Sequence, residues 1–316
     1  MKTPTTPKTL VEAINYFADS DRALAFLISL RWPENVTCPT CGSTDVRFLA
    51  SRRIWKCKTK HSRQQFSIKV GTIFEDSPIG LEKWLPAMWM MVNCKNGVSS
   101  YEVHRALGVT QKTAWFMLHR LRLATQTGTF EKLSGHVEVD ETYIGGLSRN
   151  MHADKRKKKI KGTGGSGKSI VIGMLERQGR IAAKAIRNTK RETLHQEIKD
   201  HVNPGSTVYT DDWRGYRKLP KDYEHQVINH AQSYVRGQVH TNTIENFWSL
   251  LKRTIKGTYV SVEPFHLFRY LDEQVFRFNT RKGNDASRFH EAIQEIIGKR
   301  LTYAHLLGLD RPTCTT

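Results

Sequence analysis

No stretch of this sequence approaches 18 consecutive apolar residues, and its mean hydropathy is −0.53, which excludes an ordinary membrane-spanning helix. The opening segment, MKTPTTPKTLVEAINYF, lacks the apolar core of a secretory signal. Acidic residues are scarce beside basic ones: 30 Asp and Glu face 50 Lys and Arg, a formal net charge of +20. Such an excess points to a polyanionic partner, first of all nucleic acid. Cysteines are few and odd in number, at 38, 41, 57, 94 and 314. That is a poor disulfide framework, and it predicts a reducing cytoplasm. What remains is ample for folding. A chain of 316 residues that is 38% hydrophobic can build two or three units with real cores.

Three of the cysteines fall within twenty residues, as metal ligands do. Cys38-Pro-Thr-Cys41-Gly is a tight turn aiming two thiolates at one centre, and Cys57-Lys-Thr-Lys-His61 follows. Between them VRFLA and RRIWK read as the strands of a ribbon hairpin. Zinc takes four soft or borderline ligands in a tetrahedron, so Cys38, Cys41, Cys57 and His61 form the expected structural site. His61 completes the set less certainly by pattern than the thiols, an ordinary surface histidine being the alternative. A ribbon this small depends on the metal for its folding energy. Cys94 reads as a buried small apolar residue.

After Ser77-Pro78 the pattern turns helical. LEKWLPAMWMMVNCKNG reads as one helix, and two more follow around Gly108, the first capped by serine and the second by Thr110. Val103, Leu107, Trp115 and Leu118 are spaced to pack the pair together. This is the helix-turn-helix pattern, with Gln111, Lys112 and Thr113 in the first turn of the DNA-reading helix and Arg120 and Arg122 as basic support. A helical hairpin that merely packs is the alternative. Residues 162–169, GTGGSGKS, match a phosphate-binding loop formally. The match fails in context, because a charge run precedes it and a strand-like segment, SIVIGMLER, follows where a helix should open. Residues 150–168 read instead as a flexible basic loop.

From about residue 135 strands dominate, first as a meander and then alternating with helices, which predicts an α/β domain with a mixed sheet. His136–Asp140 and Ser206–Asp211 end in carboxylates, and Ile244–Arg253 is an amphipathic helix carrying Glu245. Two aspartates at strand ends and a glutamate on a nearby helix suit two Mg²⁺ ions, Mn²⁺ being an alternative, in phosphoryl transfer. Glu245 and Lys252 lie two turns apart on one face, with Ile244, Phe247, Trp248 and Leu251 on the other. Phe265, Phe268, Leu271 and Val275 read as core. Asn279, Arg281 and Lys282 suit either DNA contact or a solvated helix end.

Taken together, the ribbon, the helix-turn-helix, VEVDETYIGG, VYTDDWRGY and HTNTIENFWSLLKRTIKGTY resemble bacterial insertion-sequence transposases of the DDE type, in the subgroup with an N-terminal zinc ribbon. The resemblance runs over about residues 25–300. It implies an RNase-H-like catalytic domain with Asp140, Asp211 and Glu245 as the metal-binding catalytic triad. It also implies DNA contact by Lys252 and Asn242, both in the N-x-x-E-x6-K motif. Asp212 competes with Asp211, and Glu138 and Glu141 are alternatives to Asp140. The second zinc knuckle departs from the family's usual Cys-x-x-Cys. The expected fold is multidomain α+β: an N-terminal helical segment over 1–30, a zinc ribbon over 31–76, a helix-turn-helix region over 77–130, an RNase-H-like domain over 131–300 and a tail over 301–316. The implied activity is binding of terminal inverted repeats in double-stranded DNA, metal-dependent strand cleavage and transfer of the 3′-hydroxyl, by a homo-oligomer when two ends are held. An RNase-H-like nuclease and an inactive DNA-binding regulator are the alternatives. The excess charge sits in three places, +7 in residues 51–70, +10 in 151–190 and +3 in 251–260.

Overall fold

The computed structural model describes residues 7–126, 131–146, 151–160, 165–228 and 241–309. Contacts divide the chain into two compact units, Met1–Gln126 with Gly283–Thr316, and Thr127–Lys282. Among the described residues no helix is long and apolar enough to cross a membrane.

In the first unit, α1 (Leu10–Ala18) and α2 (Ser20–Arg31) are separated by Asp19, whose carboxylate accepts from the amides of Asp21 and Arg22 and so starts the second helix. The ribbon follows as β1 (Val46–Leu49), β2 (Ile54–Cys57) and β3 (Gln65–Phe66), an antiparallel sheet in that order. Arg53 takes left-handed backbone at φ 50° to turn β1 into β2. Trp55 and Phe66 are buried and stacked on one another, with Trp32 edge-on to both and exposed Phe48 tilted against Trp55. Next come α3 (Leu81–Asn93), α4 (Ser100–Leu107) and α5 (Gln111–Ala124). A capping box between Ser99 and Glu102 opens α4, Gly108 at φ 59° closes it, and Thr110 caps α5. Val103 and Leu118 are buried and Leu107 and Trp115 partly so. Cys94, at the end of α3, is only half-buried, unlike the buried position expected of it.

In the second unit, β4 (His136–Ile144), β5 (Ser169–Glu176) and β6 (Ile181–Ile186) form an antiparallel meander. After α7 (Arg191–His201), β7 (Thr207–Asp211) and β8 (Glu224–Ile228) add in parallel on the other side of β4. The sheet order is β6-β5-β4-β7-β8, the mixed five-stranded sheet of an RNase-H-like domain. Val137, Val139, Ile172, Met174 and Val208 face α7 through Leu194 and Ile198. Val171, Leu175 and Ile181 face α8 (Asn242–Thr254) and α9 (Leu267–Asn279) through Phe247, Trp248, Leu251 and Leu271. Helices thus cover both faces, as a sheet with parallel strands requires.

Several expectations give way here. The basic run after β4 holds a short helix, α6 (Ala153–Lys159), rather than plain loop, because Ala, Lys and Arg are good helix formers. β5 begins at Ser169, directly after Lys168, so no helix opens on that lysine as a phosphate-binding loop demands; residues 162–164 of the motif lie outside the described residues. Leu271 and Val275 are core, but Phe265 and Phe268 are exposed. Asn279 neither reaches outward nor floats in solvent. Its amide accepts from Ile181 N at 2.8 Å and donates to Ile181 O at 3.1 Å, while Arg281 and Lys282 donate to the carbonyls of Gly179 and Gln178. These three residues pin α9 to the β5–β6 turn. Beyond them α10 (Asp285–Gln294) and α11 (Tyr303–Leu306) belong to the first unit, where Phe289 packs on Phe17, Phe26 and Trp89. The contact division between the two units falls at 282/283, and α11 brings Tyr303 against Phe116 of α5.

Candidate active site and metal centre

The ribbon brings Cys38, Cys41, Cys57 and His61 together, with their ligand atoms all within 4.8 Å of one another. Among the described residues this is the one set of three or more such side chains converging so closely. Cys38 Sγ lies 3.4 Å from His61 Nε2, and Cys41 Sγ lies 3.7 Å from Cys57 Sγ. The turn itself prepares Cys38. Burial pushes Cys38 up, but the amides of Cys41 and Thr40 and the neighbouring thiols donate to its sulfur and bring it down to about 7. A thiol so supported reaches the thiolate form a metal requires. Three sulfurs and one imidazole at this spacing are the donor set of a tetrahedral zinc site. Cys314 lies outside the described residues.

The parallel ladder of β4 and β7 frames the second candidate site. Its last pair is Glu138 with Tyr209, and Asp140 and Asp211 lie two residues further along their strands, close enough for Asp211 to act on Asp140 electrostatically. Side chains alternate along a strand, so both carboxylates emerge on the face covered by α8, which carries Glu245 in its first turn. Each is oriented by a fixed donor: Trp248 Nε1 to Asp140 Oδ2 at 3.0 Å, Trp213 N to Asp211 Oδ1 at 3.1 Å, and Thr241 Oγ1 to Glu245 Oε1 at 3.2 Å. Their mutual charge is felt. Burial first, and then Asp211 and Glu245, push Asp140 up to about 6 despite the bonds from Trp248 and the Glu141 amide. Carboxylates on one face of the sheet, each oriented by a neutral donor, are the kind of oxygen ligand that a divalent cation takes.

Two domain families match this chain. An ISXO2-like transposase domain covers residues 132–279, which takes in all five strands of the mixed sheet and all three carboxylates. A transposase zinc-ribbon domain covers residues 18–59. The chain belongs to the ISXO2-like transposase family. A Halobacterium salinarum protein described as an uncharacterized protein in transposable element ISH50 is 28% identical over 254 residues, 76% of this chain and 84% of the relative. A Haemophilus influenzae uncharacterized transposase-like protein is 32% identical over 101 residues, 32% of this chain and 81% of its own length. The zinc-ribbon match stops before His61, so the support for that ligand is its geometry against Cys38.

Within this transposase the alternative carboxylates stand elsewhere. Asp212 is exposed and pairs with Arg217 at 3.3 Å. Glu141 follows Asp140 and so emerges on the opposite face of β4, beside buried Tyr216; burial first, and then the charges of Asp140 and Asp211, push it up to about 8. Glu138 shares Asp140's face but is wholly buried, bonded to the start of α8 and to Arg177. Sequence reasoning missed Trp248 as the group that orients Asp140, placing it only on the apolar face of its helix. The signal available was Gly173, a lone glycine inside a strand, which marks close approach. Gly173 pairs with Asp140 across the ladder, and a Cβ there would lie 2.7 Å from the Trp248 ring. Gly173→Ala is therefore expected to displace Trp248, costing about 1–3 kcal/mol in denaturant unfolding and weakening cleavage together.

The raised Asp140 sets a pH dependence. A carboxyl at about 6 when folded and 3.8 unfolded penalises the fold once it ionises; the penalty is absent below about pH 4 and complete above about pH 6. In metal-free protein, Asp140→Asn is expected to stabilise by on the order of 2 kcal/mol at pH 8 and by nothing at pH 3.5. Thermal unfolding across that range checks it, and added Mg²⁺ is expected to erase the advantage by stabilising the unsubstituted protein alone.

The DNA-contact candidates divide. Asn242, Glu245, Ser249 and Lys252 form one exposed face of α8 while Ile244, Phe247, Trp248 and Leu251 are buried. On α5, Lys112 is exposed and lies over the Tyr303 ring at 5.1 Å, whereas Gln111 donates to Ser100 Oγ at 2.9 Å and Thr113 bonds Thr110. Arg120 and Arg122, expected as basic support for DNA, are buried instead. Arg120 is wedged between Trp84 and Phe116 with a bond to the Glu75 carbonyl.

Proposed function

We propose that this transposase cuts and joins DNA at the ends of its own insertion sequence, with Asp140, Asp211 and Glu245 as its catalytic triad. The observation that carries the reading is the alignment of Asp140 and Asp211 on parallel strands beneath the helix that presents Glu245. Mg²⁺, or Mn²⁺ in its place, would be held between these carboxylates; bound there, two ions supply an activated water or 3′-hydroxyl and stabilise the departing oxygen. Trp248, Trp213 and Thr241 keep the carboxylates aimed. Lys252, on the exposed face of α8 with Glu245, would take a DNA phosphate, and Asn242 would contact the same strand. Lys112, with Gln111 and Thr113 behind it, would approach the inverted repeat from the first turn of α5. The ribbon would hold structural zinc on Cys38, Cys41, Cys57 and His61. Two DNA ends held at once call for at least a dimer.

Labelled duplexes ending in the element's repeat, incubated with protein, Mg²⁺ and a target plasmid, test the reading. Cleavage with joining supports transposition. Cleavage without joining would make the protein a nuclease, and binding without either would make it a regulator.

A further inference from the structure

The carboxylate of Glu138 is the most deeply buried acid of the second unit, and its placement is not explained by packing. Helix α8 begins at Asn242 with no side-chain cap of its own, since Thr241 turns its hydroxyl to Glu245 instead. The first amides of a helix have no partner within it. Here they are met from across the sheet: Glu138 Oε2 accepts from Thr243 N and Ile244 N, both at 3.1 Å, and Oε1 accepts from Thr243 Oγ1 at 3.3 Å. On its other side Arg177 Nε donates to Oε1 at 3.0 Å, and the Arg177 guanidinium lies over the Tyr209 ring at 4.0 Å. Tyr209 in turn sits on β7 two residues before Asp211, with its hydroxyl 3.0 Å from His136 Nδ1.

Glu138 therefore ties together the three elements that carry the carboxylates: its own strand β4 with Asp140, helix α8 with Glu245, and, through Arg177 and Tyr209, strand β7 with Asp211. A negative charge at the positive end of the helix dipole, balanced by one arginine, is a strong tie in a site closed to water. A second link runs parallel to it, from Trp248 to Asp140. We propose that Glu138 is a positioning residue: it fixes the N-terminus of α8 to β4 and so sets the spacing of Glu245 from Asp140, without touching metal or DNA. This rests on the reading of Asp140, Asp211 and Glu245 as a metal-binding triad.

The test uses the full-length, zinc-loaded protein without DNA. Mn²⁺ affinity is measured by electron paramagnetic resonance, and hydrogen exchange is followed in the peptide containing Thr243 and Ile244. Glu138→Gln keeps the volume and one acceptor but drops the charge; Glu138→Asp keeps the charge but withdraws it from the helix. Both are expected to weaken Mn²⁺ binding, the glutamine variant by about 10–100-fold as outer-shell partners do, and to accelerate exchange in that peptide before any metal is added. Should the glutamine variant fail to fold, the aspartate variant decides. A folded variant that binds Mn²⁺ as the unsubstituted protein does, whatever its melting temperature, overturns the proposal and leaves the triad standing. If Asp140→Ala and Glu245→Ala also bind Mn²⁺ unchanged, the triad reading itself falls, and the proposal with it.

Discussion

Asp140→Ala, Asp211→Ala and Glu245→Ala are each expected to lower strand cleavage by at least about 10³-fold while leaving binding to the repeat DNA within about twofold. Each would remove a proposed metal ligand, so the loss is expected in the chemistry rather than in the protein's grip on DNA. Neutralising the acids nearby makes the contrast. Asp212→Asn breaks only an exposed pair with Arg217, and Glu141→Gln changes a group already pushed up to about 8 on the opposite face of β4. Both are expected to keep cleavage within a few-fold of the unsubstituted protein. Gel assays of cleavage and of binding on one set of labelled ends separate these outcomes. Equal losses at Asp211 and Asp212 would show that the strand register does not select the ligand.

Removal of zinc is the second large effect. The ribbon has one short three-stranded sheet and a cluster of four aromatic residues, too little burial to hold its turns unaided. Structural zinc in small domains supplies roughly 10–16 kcal/mol of apparent binding energy near neutral pH, and that energy is folding energy. A strong chelator, or Cys57→Ser, is expected to release about one zinc ion per chain and to abolish the near-ultraviolet signal of Trp32 and Trp55. The second unit, which contains none of the four ligands, is expected to stay folded. His61→Ala is expected to weaken zinc less than a cysteine change does, since three thiolates remain. Metal analysis of protein purified without chelator checks the stoichiometry.

Much of this was legible in the chain. Alternation over VEVDETYIGG and SIVIGMLER marks strands because side chains alternate across a sheet, and the 3.6-residue period of IENFWSLLKR marks a helix with one wet and one dry face. Cys-x-x-Cys announces a metal knuckle from local geometry alone. The same local logic misplaced Arg120 and Arg122. Charge predicts solvent on average, yet a guanidinium can be buried when aromatic rings and a carbonyl receive it, as Trp84, Phe116 and Glu75 receive Arg120. It also left Asn279, Arg281 and Lys282 undecided, because the carbonyls they bind lie about a hundred residues away in the chain.

Scarcity of acid was the first thing visible in this sequence, and residue order alone was enough to single out candidates: a knuckle of thiols, two strand-end aspartates and a helix-borne glutamate are short-range patterns. Where each of the neighbouring acids stands was decided only in three dimensions. The β4–β7 register brings Asp211 within electrostatic reach of Asp140, the pleat turns Glu141 to the far face, and the start of α8 takes Glu138 into its amides. The reason is physical. A carboxylate's role depends on what surrounds it, and those surroundings come from strands and helices 71 to 106 residues apart.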